Sequence, residues 1–158
     1  MSTDRALLRH ALATLAYRGG KTIRDAGPDF ASYGAADSKQ TPGKIVAHIG
    51  DLMEWALSMA DGSRKWHDST PLPWNAECER FHATIRKFDD YLASDQPLQV
   101  PIENLFQGPV ADALTHVGQL AMLRRQAGCP IRGENYFAAE IRTGRVGADQ
   151  APPRKPFA

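Results

Sequence analysis

Cysteine is nearly absent from this 158-residue chain: Cys78 and Cys129 are the only two, far apart. That excludes a disulfide framework and any C-x-x-C metal or redox motif. Cys78 falls on an apolar helical face and reads as a buried, inert thiol. Cys129, just after a helix stop, is more accessible, but nothing marks it as a nucleophile. Charge of one sign is also lacking, since 19 basic residues stand against 18 acidic ones. A nucleic-acid-binding domain usually carries a basic excess or stripe, so no nucleic-acid partner is expected. No apolar run approaches the roughly 18 residues that cross a bilayer, so no membrane partner is expected either. The first residues, Met1-Ser2-Thr3-Asp4-Arg5, lack the basic start and apolar core of a signal peptide. The expected location is therefore the cytoplasm. No stretch alternates with period two, and there is no internal repeat, so sheet and solenoid architectures are not expected.

What is present is helical periodicity. The length suits one domain, expected over residues 1–146, with a proline-rich tail over 147–158 that forms an extended arm or a loose end. Residues 3 to about 19 form a first helix, with Leu7, Leu8, Ala11, Leu12 and Leu15 as its apolar stripe and Gly19-Gly20 as its end. His10 borders that stripe. Residues 25–40 read as a loop with a turn or two of helix, anchored by Phe30 and Tyr33. Thr41 as N-cap and Pro42 in the first turn open a second helix that ends at Asp61-Gly62. Ile45, His48, Leu52, Trp55, Ala56 and Met59 recur on one of its faces. Pro71 and Pro73 exclude continuous helix through the following linker, which holds Trp66 and His67. A third helix runs from about Pro73 to Ala93, with Trp74, Cys78, Phe81, Ile85, Phe88 and Leu92 as a sharp stripe and His82 at its border. Residues 94–108 connect it to a helix over 109–128, and residues 130–145 hold enough apolar material for a short fifth helix. The fold class is all-α, a helix bundle.

The helix over 109–128 organises the chemistry. Gly108-Pro109 is expected to open it, and Gly128 to close it after Arg124 and Arg125. Asp112 and His116 are four residues apart, one above the other on a single face, and Gln119 continues that face. With His48 on the second helix, two imidazoles and one carboxylate could converge inside the bundle. Such a set suits zinc, nickel, iron or manganese and leaves coordination positions open. The competing reading needs no metal: Asp112 in a first turn favours the helix dipole, and His116 can be a hydrogen-bonded core residue. Arg124 and Arg125 likewise read either as dipole complements or as a clamp for a substrate carboxylate. Glu134, Asn135, Tyr136 and Glu140 could fold over the pocket as substrate contacts, or belong to a dimer arm.

The segment Asp112-Ala113-Leu114-Thr115-His116-Val117-Gly118-Gln119, continued to Leu123-Arg124 and Gly128, resembles the signature helix of the DinB-like (YfiT-like) superfamily. That helix reads H-x-x-x-H-x-G-Q and then an apolar stretch ending L-R-x-x-G. Lys44 to Leu52, with His48 inside it, resembles the family's second-helix motif. The resemblance covers roughly residues 3–130. It implies an up-down-down-up four-helix bundle, often a homodimer, with a divalent metal held by three residues at one end. Carried onto this chain, the ligands are His48, Asp112 and His116, and Asp112 departs from the family's histidine. An anionic ligand there changes which metal is favoured and the acidity of bound water. Gln119, Arg124, Glu134 and Tyr136 are the candidates for supporting or substrate contacts.

The expected function is a metal-dependent enzyme acting on a small molecule, either thiol S-transferase-like with a low-molecular-weight thiol as co-substrate, or hydrolase-like. In the first the metal would hold the thiol as thiolate; in the second it would activate water. The alternative is a non-catalytic, stress-related helical module for binding or dimerisation, which the replacement of histidine by Asp112 favours.

Overall fold

The computed structural model describes residues 1–158 and is helical, without a strand. Its elements are α1 (Thr3–Ile23), a 3-10 turn (Pro28–Ser32), α2 (Pro42–Asp61), α3 (Trp74–Ala93), α4 (Ile102–Leu105), a π turn (Phe106–Val110), α5 (Ala111–Gln126) and a 3-10 turn (Tyr136–Ala138). No helix is long and apolar enough to cross a membrane.

The second and third helices follow the sequence signals closely. The Thr41 side chain accepts from the Lys44 N–H, Pro42 stands in the first turn, and Gly62 takes the left-handed conformation at the end, φ +86°. Glycine adopts that backbone without the Cβ clash that other residues meet. On α3, Phe81, Ile85, Phe88 and Leu92 are fully buried, Trp74 nearly so. The Trp74 indole donates to the Ala26 carbonyl and meets Phe30 edge to face, which anchors the loop before α2. Cys78 is half-buried, and burial with help from Glu77 and Glu79 pushes its thiol up to about 11. It is an unreactive thiol, as the sequence implied.

Three boundaries differ from the sequence reading. First, α1 does not end at Gly19-Gly20 but runs on to Ile23. A Cβ at Gly19 would stand 2.5 Å from Phe81 Cζ, so this glycine serves close approach of α1 and α3 rather than termination. Leu7, placed on the apolar stripe, is instead 70% exposed. Second, Gly108-Pro109 does not open the helix that carries Asp112 and His116. The chain is already helical from Ile102, and Pro109 lies inside the helical path. A π turn at Phe106–Val110 absorbs the missing proline N–H by widening the loop locally. Third, residues 130–145 form only the turn Tyr136–Ala138, not a fifth helix. Residues 147–158 form an arm rather than a loose end. Phe157 N–H donates to the Gly133 carbonyl and Asn135 N–H to the Lys155 carbonyl, while Ala151 is buried. Val146, just before this arm, is fully buried in the core.

The core is shared by the four long helices: α2 packs on α3 and α5, and α1 packs on the same two. Arginines tie these helices together at their ends. Arg5 of α1 donates to the Ser94 and Gln96 carbonyls beyond α3, and Arg124 of α5 donates to the Thr22 and Arg24 carbonyls that end α1. Helix ends leave carbonyls without intrahelical partners, and guanidinium groups supply the donors. Between α1 and α3, Arg9 holds buried Asp89 with two hydrogen bonds of 2.8 and 2.9 Å.

Candidate metal centre

The pairing of α2 with α5 brings His48, Asp112 and His116 together. His48 Nε2 lies 3.5 Å from Asp112 Oδ2, and His116 Nε2 lies 3.5 Å from Asp112 Oδ1. One donor atom from each residue falls within 4.8 Å of the others. The two imidazole rings meet edge to face, with centroids 4.7 Å apart. His48 and His116 are half-buried, whereas the Asp112 side chain is 47% exposed. The trio therefore stands where the core meets solvent.

The donor spacing fits a divalent ion. With metal–ligand bonds of about 2.0–2.1 Å, tetrahedral donors stand about 3.3 Å apart. The two 3.5 Å distances, one to each Asp112 oxygen, are close to that value, and all three donors lie within 4.8 Å of one another. Protonation also fits. His116 Nδ1 is 2.7 Å from Gln119 Oε1, a pairing in which an Nδ1–H would donate. That tautomer would leave Nε2, on the Asp112 side, free to ligate a metal.

The competing explanation of Asp112 loses its footing in this geometry. Because the helical path begins at Ile102, Asp112 does not sit at a free helix N-terminus. The N–H of neighbouring Ala111 is already bonded to the Phe106 carbonyl. The dipole term that would favour a carboxylate falls off within the first turn.

His48 and His116 border an open cavity of about 480 Å³, lined also by Lys44, Asp51, Ser69 and Thr70. Most of its lining side chains are polar, Ile45 and Pro71 being the exceptions. Trp66, from the linker after α2, covers the other side of His48 edge to face and packs similarly on Trp55. The sequence reading did not assign Trp66 to the site. Its signal was a large aromatic residue in an otherwise polar linker.

A second group of potential ligands, Asp51, Glu54 and His67, lies one turn further along α2. Here the residues do not fit an added cation, because a guanidinium already fills the place. Arg80 of α3 reaches Asp51 at 2.6 Å, Glu54 at 3.1 Å and buried Glu77 at 3.1 Å. His67 adds a 2.9 Å contact to Glu54. The Ser69 N–H and hydroxyl both donate to Asp51. Burial opposes ionisation of Asp51, but the Ser69 and Arg80 hydrogen bonds outweigh it and hold the carboxyl below its ordinary range. Gly50 makes this network possible, since a Cβ there would stand 2.6 Å from Arg80 Nη1. The network fixes the linker that carries Trp66.

Of the supporting residues expected from the sequence, only Gln119 reaches the trio. Arg124 is buried and spends its guanidinium on the Thr22, Arg24 and Cys129 carbonyls, so it neither points to solvent nor clamps a substrate. Glu134 is buried against α1, accepting from the Tyr17 hydroxyl and from Lys21 Nζ at 2.6 Å. Burial, then the Glu134 contact, pushes the Tyr17 hydroxyl up to about 12. Tyr136 lies under the Arg18 guanidinium, also on α1. The segment after α5 therefore folds across α1 rather than over the metal centre. Glu140 pairs with Arg142 and Arg154 within that segment, and Asn135 caps its 3-10 turn. His10 remains exposed beside Thr143.

Compared with family models, curated proteins and solved structures, the chain matches none.

Proposed function

We propose that this protein is a metal-dependent enzyme of the DinB-like type, holding a divalent transition metal through His48, Asp112 and His116. The observation that carries the reading is the convergence of three donor atoms from two helices at the mouth of a polar cavity. Three protein ligands leave positions open for water or substrate, the mark of a catalytic rather than a structural site. The up-down-down-up arrangement implied by the resemblance draws support from the helix ends: the start of α1 meets the end of α3 through Arg5, the ends of α1 and α5 meet through Arg124, and α2 runs alongside α3 in the same sense, Ala47 beside Arg80 and Ala60 beside Tyr91. The same reading takes the protein to be a cytoplasmic homodimer.

A bound zinc, nickel, iron or manganese ion would lower the pKa of a thiol or water at the open position. The chain's own residues divide the remaining work. His48 and His116 offer Nε2 atoms as ligands, and the Gln119 contact with Nδ1 orients the His116 ring. Asp112 brings one negative charge, which lowers the net charge of the centre. Trp66 shields one side of His48 from water. The polar wall by Lys44, Ser69 and Thr70 suits a small polar substrate, either a thiol and its electrophile in a transferase or a hydrolysable bond.

Titration with each metal, followed by assays with low-molecular-weight thiols plus electrophiles and with activated esters, tests this reading. Uptake of one ion per chain and turnover lost in His116→Ala support it. The alternative, a non-catalytic binding or dimerisation module, is favoured by the exposure of Asp112. It predicts no uptake and an unchanged oligomeric state when the trio is replaced by alanine.

A further inference from the structure

On the side of α5 away from His116, two adjoining cavities of about 270 and 310 Å³ share Arg18, Gly118, Ala121, Ile131 and Tyr136 in their walls. Together they form one groove between α5, α1 and the segment after α5. Gly118 and His116 are two residues apart on a helix, so they face nearly opposite directions. The groove is thus separate from the metal centre.

Its chemistry is one-sided. The charged residues in its wall are Arg18 and Arg125, and no carboxylate lines it. Glu134, the nearest acid in sequence to Tyr136, is occupied by Tyr17 and Lys21. Arg18 lies flat over the Tyr136 ring, 4.1 Å from its centroid, which orients its donor edge without using its hydrogen bonds. The floor is apolar and shallow. Gly118 sits mid-helix with nothing within 4 Å of where its Cβ would be, so neither packing nor backbone geometry calls for glycine. What its absent side chain provides is open floor.

We propose that this groove binds a small organic carboxylate with a flat apolar body. The guanidinium groups take the carboxylate, and the body lies over Gly118 and Ala121 against Ile131. Volumes of this size fall near the lower range of small-molecule sites. A monoanion fits better than a phosphate dianion. Arg125 stands in the last turn of α5, where the carbonyl end of the helix repels negative charge, and no helix N-terminus faces the groove.

Amide chemical-shift titration with benzoate, benzamide and phenyl phosphate tests this directly. Saturable shifts at Gly118, Ala121 and Ile131 are expected with benzoate and not with the neutral benzamide. Arg18→Gln and Arg125→Gln should each weaken benzoate about tenfold or more, the usual worth of a hydrogen bond to a charged group. Gly118→Leu should abolish binding while the fold persists, because the added side chain enters empty space. Non-saturating shifts, equal response to benzamide, saturation by phenyl phosphate alone, or undiminished binding in Gly118→Leu would each overturn the proposal.

Discussion

Gln119 acts at the candidate centre through one atom. Its Oε1 lies 2.7 Å from His116 Nδ1 and orients the imidazole, so its loss should affect the ligand and not the fold. Gln119→Ala should weaken metal affinity by about 10–100-fold, the range typical of outer hydrogen-bond partners, with an unchanged helical signal. Calorimetric titration of the purified variant checks this. Arg124 gives the opposite pattern. It is buried and serves three carbonyls that have no other donor in reach. Arg124→Ala should destabilise the fold by about 3 kcal/mol, measured by denaturant unfolding, and leave metal affinity intact. The signature helix contained both residues, yet only one was readable. Gln119 lies one turn from His116, so helical spacing alone places the pair together. Two of the three carbonyls that Arg124 serves, those of Thr22 and Arg24, lie about a hundred residues back along the chain, and nothing local distinguishes a buried arginine from a solvated one.

At the scale of elements, periodicity and capping carried most of the information. Thr41-Pro42 and Gly62 bound α2 where the sequence put them, and the α3 stripe from Trp74 to Leu92 is buried as expected. Two of the misplaced boundaries share a physical cause, since glycine and proline have more than one use. Gly19 admits Phe81, and Pro109 is housed in a π turn. Each depends on a residue from elsewhere or on a rare hydrogen-bond pattern, which local propensity does not encode. π bulges recur beside functional sites, and this one ends at Val110, two residues before Asp112, whose carboxylate lies 3.5 Å from His48 Nε2.

For the whole molecule, the segment after α5 locks the helices together. Glu134 fastens it to Tyr17 and Lys21, Arg86 donates to the Gly144 carbonyl, and His82 Nδ1 lies 3.1 Å from the Val146 carbonyl. Val146 itself is fully buried. Burial holds His82 below its ordinary value, against the opposing effect of the Val146 hydrogen bond. In the unfolded chain a histidine titrates at about 6.5. The folded state therefore binds fewer protons than the unfolded state as pH drops below that value. This contribution to stability is complete above about pH 6.5 and is lost as pH falls through the folded value. The melting temperature should decline from pH 7 toward pH 5, and His82→Gln should flatten that decline. An equal slope in the variant would contradict this account. The arm was half-readable: three prolines after Gly147 exclude helix, but its pairing with residues 133–135 needs backbone partners that no periodicity signals.

The trio shared by α2 and α5 is the centre of the proposed chemistry, so the most direct measurement is elemental analysis of untagged protein, wild type beside His48→Ala. Close to one transition-metal ion per wild-type chain is expected and almost none in the variant, with both equally helical. No metal in either protein, and none acquired on titration with zinc, nickel, iron or manganese, would contradict it. His48, Asp112 and His116 would then be a polar cluster at the edge of the core.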